Sequence, residues 1–159
     1  MTEPSDASGW QRHFAATLYN HTWDLLDKPH RTGDEDDELL AAAFGSRFLW
    51  GDVGDASNRS VGDGQLARVC AELGLAELAL RFATKCLTAT QSEGFTDFRL
   101  ASAYETMARA QACAGNADER DRYVALASEA VATLDDPEDR EIIGGQLATV
   151  PPARSASAS

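Results

Sequence analysis

Arg68, Glu105 and Arg109 are the residues of this chain whose types and spacing best suit recognition chemistry. A guanidinium is planar and binds a carboxylate through two parallel hydrogen bonds, so an arginine kept free on a surface can hold an acidic group. The spacing also admits a plainer use. Arg68 precedes Glu72 by four residues, and Glu105 precedes Arg109 by four. Each pair sits one helical turn apart, where opposite charges meet. Glu105 follows Tyr104, and a buried glutamate beside a tyrosine has the chemistry of a general acid or base. Pairing with Arg109 competes with that role.

The other reactive types carry weaker patterns. His30 follows Pro29 in a loop and reads as a surface residue. His13 and His21 share one helical stretch, eight positions apart, so they point about 80° from each other and cannot chelate one metal without a third element. An i, i+4 pair would have pointed to a metal. The run Asp34–Glu38 holds five consecutive carboxylates. It lacks the glycine and the spaced oxygens of a calcium loop and reads as the solvated start of a helix, where negative charge suits the dipole. Cys70, Cys86 and Cys113 form no CxxC pair and have no histidine at ligand spacing, which predicts reduced thiols packed as small core side chains. The sequence has no nucleophile elbow, phosphate loop or dinucleotide glycine motif. Gly51-x-x-Gly54 lies in a loop without a strand before it and a helix after it. No catalytic residue, metal or cofactor is expected.

The elements that must position these residues are all helical. Trp10, Phe14, Leu18, Trp23, Leu25 and Leu26 recur at helical spacing and predict a helix from Ser8 to Asp27, stopped by Lys28-Pro29. Thr32 and Glu35 have capping-box spacing and open a second helix that runs to Gly51. A loop follows through Ser57. A third helix ends at Gly74, a fourth at Gly94 and a fifth at Gly115; a sixth reaches Leu134, and Pro137 opens a seventh. No segment alternates like a strand. The expectation is an all-α domain over residues 8–148, with residues 1–7 disordered and 149–159 a loose tail of few large apolar side chains.

Bulk properties narrow the partners. At 159 residues and 43% hydrophobic, the chain suits one domain with its own core. Its net charge of −12 argues against nucleic acid and anionic membranes, which need a positive surface. No run approaches the about 18 apolar residues of a membrane span. The N-terminus lacks the basic and apolar stretches of a secretory signal, so a cytoplasmic location is expected.

One pattern organises the rest. Shifted by 41 positions, residues 63–91 fall on residues 104–132: Ala67 on Ala108, Arg68 on Arg109, Ala71 on Ala112, Gly74 on Gly115, Arg81 on Arg122 and Phe82 on Tyr123. A helical hairpin recurring at a fixed interval marks a stacked helical array. The unit resembles the tetratricopeptide repeat. Leu73-Gly74 match the leucine–glycine pair of that motif, Ala114-Gly115 match it loosely, and Cys86 and Ala127 stand where it wants a small residue. Glu77 and Asp118 replace its bulky residue after the glycine, and the period exceeds the usual repeat of about 34. The chain thus looks like a divergent relative. Trp23–Leu26, the acidic opening of the second helix, Ser46 with Trp50, and Ala103–Glu105 further resemble a small bacterial family of uncharacterised tetratricopeptide-like proteins. Its members tend to carry histidines where this chain has Ala41, Phe44 and Leu49.

The resemblance implies a concave groove with Arg68 and Arg109 facing it, where basic residues clamp the carboxylate end of a peptide. Tyr104, Glu105 and His13 are the further candidates for its lining. The function expected is a non-catalytic scaffold for a peptide or partner protein. The alternative is a small-molecule-binding protein or small enzyme, with a pocket enclosed by helices and lined by aromatics from the set Trp10, Phe14, Tyr19, Trp23, Phe44, Phe48 and Trp50. These aromatics also suit a plain core. Nothing in the sequence chooses between monomer and dimer.

Overall fold

The computed structural model describes residues 4–155, with side chains from Ala7 onward. The expectations for residues 1–3 and 156–159 lie outside it. Seven helices make up the described residues: α1 (Pro4–Leu26), α2 (Gly33–Val53), α3 (Ala56–Glu72), α4 (Ala76–Ser92), α5 (Phe98–Cys113), α6 (Ala117–Ala132) and α7 (Pro137–Ala148). The described residues include no strand. The class is all-α, as the glycine punctuation and helical spacing predict.

Local chemistry accounts for the boundaries. Thr32 caps α2: its Oγ1 accepts from the Glu35 N–H at 3.2 Å, and Glu35 Oε2 accepts from the Thr32 N–H at 2.9 Å. Asp55 and Asn58 form the same reciprocal box at the start of α3. That second box shortens the expected loop, because α2 continues to Val53 and α3 begins at Ala56. α1 begins at Pro4, ahead of the expected Ser8, so residues 4–7 belong to the helix. Proline suits a first turn, where its missing N–H has no intrahelical partner to lose.

The repeat appears in the backbone itself. Gly74 has φ 75° and Gly115 φ 80°, both left-handed. The Gly74 N–H donates to Ala71 O and the Leu75 N–H to Cys70 O; 41 residues on, Gly115 donates to Ala112 O and Asn116 to Gln111 O. This pair of bonds around a left-handed glycine is the Schellman ending, which satisfies carbonyls the helix leaves open.

The helices pair as hairpins, α1 with α2, α3 with α4 and α5 with α6. α1, α3, α5 and α7 touch in that order and form an inner layer, whereas α2, α4 and α6 stand outside, where α2 meets α4 through the edge-to-face pair of Phe44 and Phe82 at 5.8 Å. Small residues allow the close approach. Ala67, Cys70, Ala79, Ala83, Ala103 and Ala110 are buried where α3, α4 and α5 meet. A Cβ at Gly62 would lie 2.9 Å from Arg47 Cδ, so glycine leaves room there for the Arg47 side chain to cross to α3. All three cysteines are free and buried, and burial pushes the Cys70 and Cys86 thiols up to about 11. At the α1–α2 end Trp10 and Phe48 are 59% and 71% exposed among the described residues. These two are neither core nor pocket.

The segment after α7 is docked. Val150 is buried. Arg120 donates to Val150 O at 3.0 Å and to Pro151 O at 3.1 Å, and the Arg154 N–H donates to Ala112 O at 2.9 Å. The expectation of a loose tail therefore fails for residues 149–155. The segment is held by its backbone carbonyls and N–H, which its lack of large side chains did not reveal.

Candidate functional site

The inner layer encloses a cleft of about 710 Å³. Tyr19 and Trp23 of α1 form one wall, and Phe98 of α5 with Ile142 of α7 form another. Gln65 and Arg68 of α3 and Glu105 of α5 lie between them. Phe98 and Ile142 are among the few large apolar side chains left substantially exposed. Tyr19 is held by a hydrogen bond from Gln65 Nε2 to its carbonyl at 2.8 Å, and burial raises its phenol above the ordinary value. The Tyr19 and Trp23 rings meet edge to face at 6.4 Å.

Two charges, Arg68 and Glu105, line the base of the cleft, and two more, Glu72 and Arg109, stand against them from behind. Arg109 is 4% exposed and Glu105 2%. Arg109 Nε and Nη2 donate to Glu105 Oε1 at 2.9 and 2.6 Å. Nη2 also donates to Gln146 O and to Thr149 Oγ1, each at 2.9 Å, and Nη1 donates to Thr149 O at 3.3 Å. Every nitrogen of this guanidinium is engaged, so Arg109 joins α5 to the end of α7. Arg68 is different. Its Nε donates to Glu72 Oε1 at 3.0 Å, and that is its one hydrogen bond among the described residues. Nη1 is shielded from solvent and has no hydrogen-bond partner among them. On the neighbouring α5, Glu105 Oε1 lies 3.7 Å from Nη1. Burial lowers the Arg68 pKa from its ordinary value, the Arg109 charge adds to this, and Glu105 and Glu72 oppose it.

The expected groove residues are thus divided. Arg68 and Glu105 line the cleft together. Arg109 stands behind Glu105, covered by α7 and the docked segment, so the two arginines do not form an open pair. Both arginines take the glutamate one turn away, as the i, i+4 spacing admits. Tyr104 lies outside the cleft, on the far side of α5, with its ring 6.3 Å from that of Tyr123. His13 also lies outside it, exposed on α1 between Trp10 and Phe14. Of the seven candidate aromatics, only Tyr19 and Trp23 reach the cleft.

The wall contributed by α7 was missed by the sequence reading. Ile142 and Ile143 are neighbours on α7, and adjacent helical residues diverge by about 100°. Both line the cleft, Ile143 from within the core and Ile142 from the exposed rim. Among the described residues no group of three or more His, Cys, Asp or Glu is placed to hold a metal ion. No helix among them is long and apolar enough to cross a membrane. Compared with known protein families, with curated proteins and with solved structures, the chain shows no match.

Proposed function

We propose that the protein is a non-catalytic, tetratricopeptide-like scaffold of the cytoplasm whose concave cleft holds a segment of a peptide or partner protein. The carrying observation is Arg68. A charged donor set at the base of a cleft with so few hydrogen bonds is costly to keep unless something supplies an acceptor. The exposed rings and chains of Phe98 and Ile142 flank it, which suits a ligand with apolar side chains beside polar main chain. The clamp of two arginines is replaced in this reading by Arg68 alone.

Selection from a displayed random-peptide library against the full chain tests the proposal. Peptides should be recovered, and Arg68→Met should weaken them by about 1.5–3 kcal/mol, the usual worth of a hydrogen bond to a charged group. Peptides that bind the Arg68→Met variant equally well would place recognition elsewhere. The closure of one side of the cleft by α7, together with its volume of about 710 Å³, favours a second reading, a small-molecule site. That reading gains if no peptide is selected while a compound library raises the melting temperature of the native chain and not of Trp23→Ala.

A further inference from the structure

We propose that the group recognised at the base of the cleft is a neutral amide, such as a peptide main-chain unit, and not a carboxylate. The inference rests on the binding reading above and refines it. Two facts about hydrogen bonding lead to it. Arg68 has N–H groups beyond the one given to Glu72. Glu105 receives both Arg109 bonds on Oε1, and its Oε2 accepts none among the described residues. The open donor is Arg68 Nη2, which makes no hydrogen bond among the described residues and, unlike Nη1, is not shielded, and it stands beside the open acceptor Glu105 Oε2 on groups whose Nη1 and Oε1 atoms lie 3.7 Å apart. An amide offers the complement, a carbonyl oxygen for Arg68 and an N–H for Glu105.

Charge decides against the anion. Arg68 and Arg109 are balanced by Glu72 and Glu105, each arginine within 3.7 Å of both carboxylates. Around them the lining adds Asp27 and Asp139 against one further arginine, Arg99, which is already held by Asp97. A carboxylate entering here would have to share Arg68 with two glutamates and lie close to Glu105. Beside a carboxylate as buried as Glu105 that repulsion is strong. A neutral amide meets no such repulsion and uses both free positions. The aromatic edges of Tyr19 and Trp23 and the apolar rim of Phe98 and Ile142 leave room for the side chain next to it.

The test uses two probes that differ in one group, N-acetyl-L-phenylalaninamide and N-acetyl-L-phenylalanine. Each is titrated to millimolar levels into the full chain. Binding is read from the indole N–H resonance of Trp23 in a proton–nitrogen correlation spectrum, assigned with Trp23→Phe. The amide should shift that resonance and bind about fivefold or more tightly than the acid. Arg68→Met should remove the shift. Glu105→Gln should narrow or reverse the preference, because the repelling charge is gone while the shape remains. Should Glu105→Gln not fold, the two probes on the native chain still decide. Equal or tighter binding of the acid overturns the amide assignment and leaves the binding reading intact. No shift of Trp23 by either probe overturns both.

Discussion

Arg68 and Arg109 occupy the same place in two repeats and have opposite fates. Arg109 is buried and fully bonded, and its removal takes from the buried Glu105 both of its hydrogen bonds and leaves only Arg68, at 3.7 Å, as a counter-charge. Arg109→Met is therefore expected to destabilise the fold by about 3–5 kcal/mol, the range for breaking one side of a buried ion pair. Arg68→Met removes an under-bonded cation paired with a partly exposed glutamate, and should cost less than about 1 kcal/mol. Urea titration of the two variants separates them, and equal losses would contradict this division of roles. The short-range pairs were legible, because i, i+4 spacing is local. What reaches Arg109 from Gln146 and Thr149 was not, since those contacts cross some 40 residues and follow no period. The cysteines were legible as core. With the Cys70 and Cys86 thiols raised to about 11 and all three buried, the native protein should react with a disulfide reagent only slowly. All three should react at once in denaturant. A fast stoichiometric reaction of the native chain would show that a thiol is reachable.

Among the elements, the hairpin turns are the most legible part of the chain, and three left-handed glycines explain why. Gly94, with φ 70°, has no atom within 4 Å of the Cβ an alanine would add. Gly94→Ala should therefore report the backbone cost alone, about 1–2 kcal/mol. Gly74→Ala should cost a similar amount, because the group nearest its new Cβ is the end of the flexible Arg154 side chain, at 2.9 Å. Gly115→Ala should cost more. There the nearest atom is the backbone oxygen of Arg154, also at 2.9 Å, and the docked segment must shift. Thermal unfolding of the three variants gives the order. Deleting residues 154–159 should remove the excess at Gly115, because coupling between sites vanishes when their contact does. An excess that survives the deletion would locate the strain elsewhere. The start of α1 was less legible than these turns, since the expected start at Ser8 lies inside a helix that proline already permits from residue 4.

At the scale of the whole molecule, an inner layer of four helices makes a concave face, and the chain closes one side of that face with its own end. Thr149 belongs to both parts. It lines the cleft, and its carbonyl and hydroxyl hold Arg109. Beyond it, Val150 is buried, and Arg120 grips the carbonyls of Val150 and Pro151. Composition suggested a loose tail here because it holds few large side chains, whereas this segment is held by one buried valine and by carbonyls aimed at arginines from other helices. Ending the chain at Ala148 tests the difference. The loss of Val150 burial is worth about 1.5–3 kcal/mol by itself. Leaving Arg109 short of its acceptors adds about 1–3 kcal/mol. At about 2–4 °C per kcal/mol for a chain of this size, the melting temperature should fall by roughly 5 °C or more. The helical signal in circular dichroism should persist at 20 °C, because α1–α6 keep their mutual contacts. A melting temperature unchanged within about a degree would be the result of a loose tail, and would mean that the strap seen across α5 and α6 contributes nothing to the fold.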